Sequence, residues 1–394
     1  MYDFTTLINR AGTGSIKIDM APEPVKGSGF VPLTIADQEF AVAPEIVEAI
    51  KRAADHGIFG YTYDDIEYRS AVDSWMKRRH EWDTSAFKMF TTNGVVPALG
   101  IAVRAFTEPG DGVVIQPPVY PPFAGTVKKN NRRLVENPLI YRNGRYEIDF
   151  DDLSEKTKPD DVKLLILCSP HNPVGRVYTR DELRHVGEIC KRNNCLVVCD
   201  EIHNDLILPG YKHTVFASID NFADFSITCT AVSKTFNLAG LACSNIFIQN
   251  AELAKKFEKI AERDNSGCVP FFARAATIAA YNLAEKWVDE LIRVIDKNFR
   301  KLYSFVEGNL SEISVTHAEG TYLAWLDMRK LLLDDTELEN LMLKNHLALD
   351  EGYIFGTNGS GFERWNLALP ESELDKALSR LKEAVQSAKN NDQP

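Results

Sequence analysis

Four short runs in the middle of the chain limit its fold more than any other feature. They are residues 112–116 (G-V-V-I-Q), 163–168 (K-L-L-I-L-C), 195–200 (C-L-V-V-C-D) and 225–230 (F-S-I-T-C-T). Each is apolar almost throughout instead of alternating, as strands covered on both faces of a parallel sheet are. Between the second and third runs lies a helix. T-R-D-E at 179–182 fits a capping box, Leu183, Val186 and Cys190 recur at helical spacing, and Asn193-Asn194 supplies the stop. Strand, helix and strand repeated in this way predict an α/β lobe built on a large, doubly wound, mixed or parallel sheet.

The pattern changes after about residue 270. A long helical stretch over 270–310 precedes isolated strands at 321–326 and 362–367. A closing amphipathic helix puts Leu374, Leu378, Leu381 and Val385 on one side. This reads as a second, smaller α+β lobe. The first 45 residues, irregular and rich in Gly and Pro, are expected to lie against it. A chain of 394 residues exceeds what one core usually organises. The expected division is a large domain at 46–285 and a small one made of 1–45 and 286–394.

A net charge of −11 argues against nucleic acid as a partner, although a pocket can be locally positive on an acidic protein. No stretch of eighteen apolar residues occurs, and the opening M-Y-D-F-T-T has no basic start before an apolar run. Neither a membrane span nor a signal peptide is expected. The seven cysteines are odd in number and several sit in apolar runs. That usage predicts reduced, buried thiols in a reducing, cytoplasmic compartment, and without a C-x-x-C pair no metal site is expected.

In open α/β sheets ligands bind beyond the carboxyl ends of the strands, so the residues that follow each apolar run are the candidates. Asp200 ends one run. A carboxylate at the tip of a buried strand is costly unless it meets a cation or a proton donor, such as a protonated pyridine nitrogen; a helix N-cap is the plain alternative. Lys234 follows another run, with apolar residues again at 238–243. A desolvated lysine there has a lowered pKa and serves as nucleophile and base, whereas most loop lysines are simply solvated. Asp200 and Lys234 are expected to be one β-α-β repeat apart and to return to the same sheet edge. Pro97 fits the first helical position, which leaves the N–H groups of Gly94, Val95 and Val96 free as an anion cradle. Asn172 lies between two prolines in S-P-H-N-P-V-G and can aim its amide at a ligand oxygen. Tyr120, flanked by prolines, can stack on an aromatic ring. Arg364 sits on a mostly apolar strand with Phe362 and Asn366 and calls for a carboxylate, from a substrate or from an internal ion pair.

At these residues the sequence resembles the fold type I enzymes dependent on pyridoxal 5′-phosphate (PLP), the superfamily of aspartate aminotransferase. The matching pieces, in family order, are Asn172 in S-P-H-N-P-V-G, Asp200 in D-E-I-H, Lys234 in S-K-T-F-N and Arg364 in F-E-R-W-N. The resemblance implies Lys234 as the Schiff-base lysine, Asp200 on the pyridine nitrogen, Asn172 on the phenolic oxygen and Arg364 on the substrate α-carboxylate. It also implies a homodimer in which Tyr61, in G-I-F-G-Y, reaches the neighbouring subunit's site to touch phosphate. More closely, the chain is similar to the cystathionine β-lyase-like C–S lyases, the MalY/PatB group. The resemblance rests on the N-terminal Y-D-F-T-T-L-I-N-R, on G-T-G-S-I-K, on Ala36-Asp37, and on F-G-Y-T, G-V-V-P-A-L and S-K-T-F-N-L-A-G-L. Two positions depart from the aminotransferase pattern. Ala242 stands where an arginine usually meets phosphate, and His203 stands where a tyrosine usually follows the aspartate. Both departures agree with the lyase-like group, in which Ser233 and the backbone around Val95 and Val96 carry more of the phosphate.

The expected activity is therefore β-elimination from a small sulfur amino acid such as cystathionine, with PLP as cofactor, Lys234 as base, and Ala36 beside the substrate. An aminotransferase shares every step up to loss of the α-proton and is the alternative. A non-catalytic regulator on the same fold is the third reading, and intact Lys234, Asp200 and Arg364 weigh against it.

Overall fold

The four apolar runs lie side by side in one sheet. In the computed structural model, which describes residues 1–22, 25–27 and 29–391, that sheet has seven strands. In spatial order they are Lys88–Thr92, Ser244–Ile248, Ser226–Thr230, Leu196–Asp200, Val162–Cys168, Gly112–Ile115 and Arg133–Glu136. Ser244–Ile248 runs antiparallel to both of its neighbours, and every other pairing is parallel. Alternate side chains enter opposite layers. Val113 and Ile115 pack with the helices Val95–Phe106 and Ala251–Arg263, whereas Val114 packs with Leu183 and Val186 of the helix Arg180–Arg192. Burial on both faces is why these strands read as continuous apolar runs.

The capping box forms as expected. Glu182 donates its backbone N–H to Thr179 Oγ1 (3.2 Å), and Thr179 donates its own to Glu182 Oε2 (2.8 Å). Three expectations need correction. The connection from Leu196–Asp200 to Ser226–Thr230 contains no α-helix. It returns through the 3₁₀ turns Phe216–Ser218 and Phe222–Phe225, packed on each other through Phe216 and Phe222 at 5.0 Å. Pro97 is the third helical residue, because the helix starts at Val95. The stretch over 270–310 is two helices, Phe271–Leu283 and Glu285–Asn309, which meet at Ala284, whose φ of −107° leaves the helical range. The break lets the second helix turn Trp287, Leu291 and Ile295 into the core.

Strands Ser314–Val315, Leu323–Asp327, Phe362–Asn366 and Asp350–Glu351 form a second, antiparallel sheet in that order. The N-terminal segment crosses its edge. Val31–Pro32 pairs in parallel with Leu347–Ala348, and Asn366 Nδ2 donates to the carbonyls of Ile35 (2.8 Å) and Asp37 (2.7 Å). These bonds carry Ala36 to the mouth of the large sheet. Among the described residues, no helix is long and apolar enough to cross a membrane, all seven cysteines are free, and no cluster suited to a metal ion occurs.

Candidate active site

The carboxyl ends of the parallel strands open onto a cavity of about 400 Å³. Its walls include Ala36, Gly94, Val95, Val96, Tyr120, Asn172, Asp200, His203, Ser233, Lys234 and Arg364, so every predicted site residue except Tyr61 meets there.

Asp200 ends its strand fully enclosed, and no helix follows it, which removes the N-cap alternative. Its Oδ1 accepts the backbone N–H of Ile202 at 3.1 Å. Burial lifts its pKa to about 7, against the opposing pull of that N–H and of the Lys234 charge. Lys234 lies in the single-turn helix Val232–Thr235, and its Nζ donates to the carbonyl of Ala36 (2.7 Å). Burial, with the charge of Arg364 second, lowers its pKa to about 8. The amine and the carboxylate therefore sit in one pocket, each shifted toward its neutral form.

Gly94 adopts φ 115°, a conformation open to glycine and strained for other residues, and this turns the strand Lys88–Thr92 into the helix Val95–Phe106. The first main-chain bond of that helix runs from Ala98 N to Gly94 O, so the N–H groups of Gly94, Val95 and Val96 precede it. They form a cradle for an anion at the cavity wall. Arg364 comes from the second sheet. Nη1 donates to Asn172 Oδ1 at 3.0 Å, Nη2 meets Asp350, and the buried Nε has no partner. His203 is also buried with Nδ1 unpaired, and burial, then the charges of Lys234 and Arg364, press it well toward the neutral form. Burial, then the Asp200 charge, raise the pKa of Tyr120.

Tyr61 lies outside the cavity and is itself fully exposed, on a stretch where Ile58, Phe59, Tyr63 and Ile66 are also exposed. Ala242, with φ 48°, is also outside it. Sequence reasoning missed Asp350, which pairs with Arg364 and accepts the N–H of Ile35 at 2.9 Å. It also missed the brace formed by Asn237, which donates to the carbonyls of Gln38 and Phe40 while Gln38 Nε2 donates to Lys234 O (2.7 Å). Asn237 stood in the quoted S-K-T-F-N, where an amide so near a reactive lysine is a usable signal.

The family description "Aminotransferase class I and II" matches residues 29–381. The chain belongs to that family. Within it, this aminotransferase-family chain is 44% identical over 378 residues to cystathionine beta-lyase PatB of Bacillus subtilis (strain 168), covering 95% of this chain and 98% of that one. It is 29% identical over 392 residues to protein MalY of Escherichia coli (strain K12), covering 99% of this chain and all of that one. Among solved structures, cystalysin from Treponema denticola, which contains a pyridoxal 5′-phosphate cofactor, superposes with a TM-score of 0.93. It shares 44% identity, over 98% of this chain and 99% of that one.

Proposed function

We propose that the protein is a PLP-dependent C–S β-lyase that converts cysteine-type substrates such as cystathionine to a thiol, pyruvate and ammonia. The observation that carries this reading is the convergence of a desolvated amine, a buried carboxylate, an amide cradle and an arginine with a free Nε on one cavity. The names of the similar lyases support the same conclusion.

The residues fit PLP in shape and charge. The amides of Gly94, Val95 and Val96, with the Ser233 hydroxyl, suit the phosphate, and Tyr120 suits the face of the ring. Asn172 and His203 offer polar groups to the ring's edge. What bound PLP supplies is an aldehyde for the amine and a protonated ring that draws electrons from the substrate's α-carbon. Asp200 holds the proton at the ring nitrogen, as its burial demands. Arg364 takes the substrate carboxylate on its unpaired Nε side and orients the α-hydrogen toward Lys234. With a pKa near 8, the Lys234 amine is partly unprotonated at neutral pH and accepts that proton. The C–S bond then breaks, the electron pair leaves on sulfur, and hydrolysis of the remaining three-carbon unit gives pyruvate and ammonia.

The assembly belongs to the same proposal. Tyr61 is exposed here because it serves the site of a partner subunit in a homodimer, and the exposed apolar stretch around it suits such an interface. Residues 46–285 form the cofactor-binding domain, and residues 1–45 with 286–394 form the smaller one. The free cysteines suit a cytoplasmic setting.

Incubation with cystathionine and PLP, without a keto acid, tests the reaction. Pyruvate over many turnovers is expected, together with a visible absorbance band that disappears in Lys234→Ala. A single turnover that leaves the cofactor as its pyridoxamine form and the C–S bond intact, with no pyruvate, would replace the lyase with an aminotransferase.

A further inference from the structure

Each of the two reacting residues is followed in the chain by a side chain tied to a buried carboxylate–histidine pair. Next to Lys234, Thr235 donates its hydroxyl to Asp205 Oδ2 at 2.8 Å. The same carboxylate accepts Trp75 Nε1 at 3.1 and 3.2 Å and meets His80 Nε2 at 2.9 Å. Next to Asp200, Glu201 accepts the N–H of Phe216 at 3.0 Å and meets His213 Nε2 at 2.9 Å. The rings of His80 and His213 touch edge to face, 5.7 Å apart. None of these six side chains lines the cavity.

A buried carboxylate is an expensive way to fill space, and an apolar side chain of similar volume often stabilises more. Its advantage is direction. The helix Val232–Thr235 is a single turn, too short to fix its own orientation, and it carries a lysine whose four-carbon stem is flexible. The turn is held on one side by Gln38 Nε2 on the Lys234 carbonyl and on the other by Thr235 on Asp205. The second bond is charge-assisted. Burial pushes the Asp205 carboxyl up, and the stronger opposing contributions of His80, Thr235 and Arg79 bring it below its ordinary range, so it remains an anion.

We infer that Asp205, backed by His80, is a positioning residue for Lys234: through Thr235 it sets the direction from which the amine enters the cavity. The Glu201–His213 pair braces Asp200 in the same way, and the contact between the histidines joins the two supports. This rests on Lys234 being the reacting amine.

The test compares Thr235→Val, which keeps the shape and removes the donor, with Thr235→Ser, which restores it. In the PLP-loaded protein, Thr235→Val lowers kcat about tenfold with KM changed less than about twofold, as loss of orientation does. It also moves the midpoint of the visible band's pH titration by about half a unit or more and slows recombination of PLP with the cofactor-free chain. Thr235→Ser returns all three to wild type. His80→Gln, which leaves the turn untouched, moves the same midpoint less far and stands in if Thr235→Val does not fold. A midpoint and kcat unchanged in these variants, with only Tm lowered, overturns the inference and leaves the proposed function standing. A wild-type protein without the band, or a band that survives Lys234→Ala, overturns the proposed function and this inference with it.

Discussion

In the cofactor-free chain Asp200 is held at a cost that depends on pH. Its folded pKa of about 7 lies above the ordinary value of 3.8, so between those values the folded chain keeps a proton that the unfolded chain has released. Stability therefore falls as pH rises through that window, and the full loss persists above it. Asp200→Asn removes the charge and keeps the shape. Thermal melts of the cofactor-free variant at about pH 8 are expected to show Tm raised by about 2–4 °C, a gain that vanishes as pH falls toward about 4. Equilibrium dialysis is expected to show weaker PLP binding by the same variant, a loss of function gained with stability. Asp200, Lys234 and Arg364 were legible in the sequence because each is a charged residue at the end of, or inside, an apolar run, where only a partner excuses it. Asp350 was not. It stands in the short, irregular L-D-E-G, and its meaning comes from a cross-strand pairing with Arg364 that no local pattern encodes.

The elements the sequence made plain were those with their own punctuation. The helix Arg180–Arg192 announced itself through a capping box, and the four doubly buried strands through unbroken apolar runs. The strands Lys88–Thr92, Arg133–Glu136 and Ser244–Ile248 went unseen because their polar residues find partners only far along the chain: Thr92 and Ser244 share a hydroxyl hydrogen bond of 2.7 Å across the sheet, Thr91 donates to Gly267 O, and Asn245 accepts from Tyr68. The break at Ala284 carries no Gly or Pro, so tertiary packing alone sets it. Helix propensity has the same limit at Gly187. Alanine there favours a helix by about 1 kcal/mol in isolation, yet a Cβ at this position would lie 2.1 Å from the ring of Phe222. Gly187→Ala is therefore expected to lose about 1–3 kcal/mol in urea unfolding, while the visible band of the PLP-loaded protein keeps its position.

For the molecule as a whole, the two-lobed α/β plan was readable, whereas the contribution of a second chain rests on resemblance and on an exposed stretch of apolar side chains. Subunit complementation decides it. Tyr61→Ala and Lys234→Ala are each expected to be nearly inactive alone. Unfolded together and refolded, they form mixed dimers with one intact site if Tyr61 acts across the interface, and recover about a quarter of wild-type pyruvate production at random pairing. No recovery would put Tyr61 within its own subunit's site, and a Tyr61→Ala protein that is active alone would put it outside catalysis.

The cavity draws its parts from far along the chain. The carbonyl that receives the Lys234 amine belongs to Ala36, whereas the guanidinium that lines the same cavity waits until residue 364. On the ribosome, a nascent polypeptide thus exposes the amine and the Asp200 carboxylate well before that guanidinium. The cavity is complete only once Phe362–Asn366 has paired with Leu323–Asp327, so a chain released before that point would lack Arg364 together with the Asn366 amide that holds the segment around Ala36 in place.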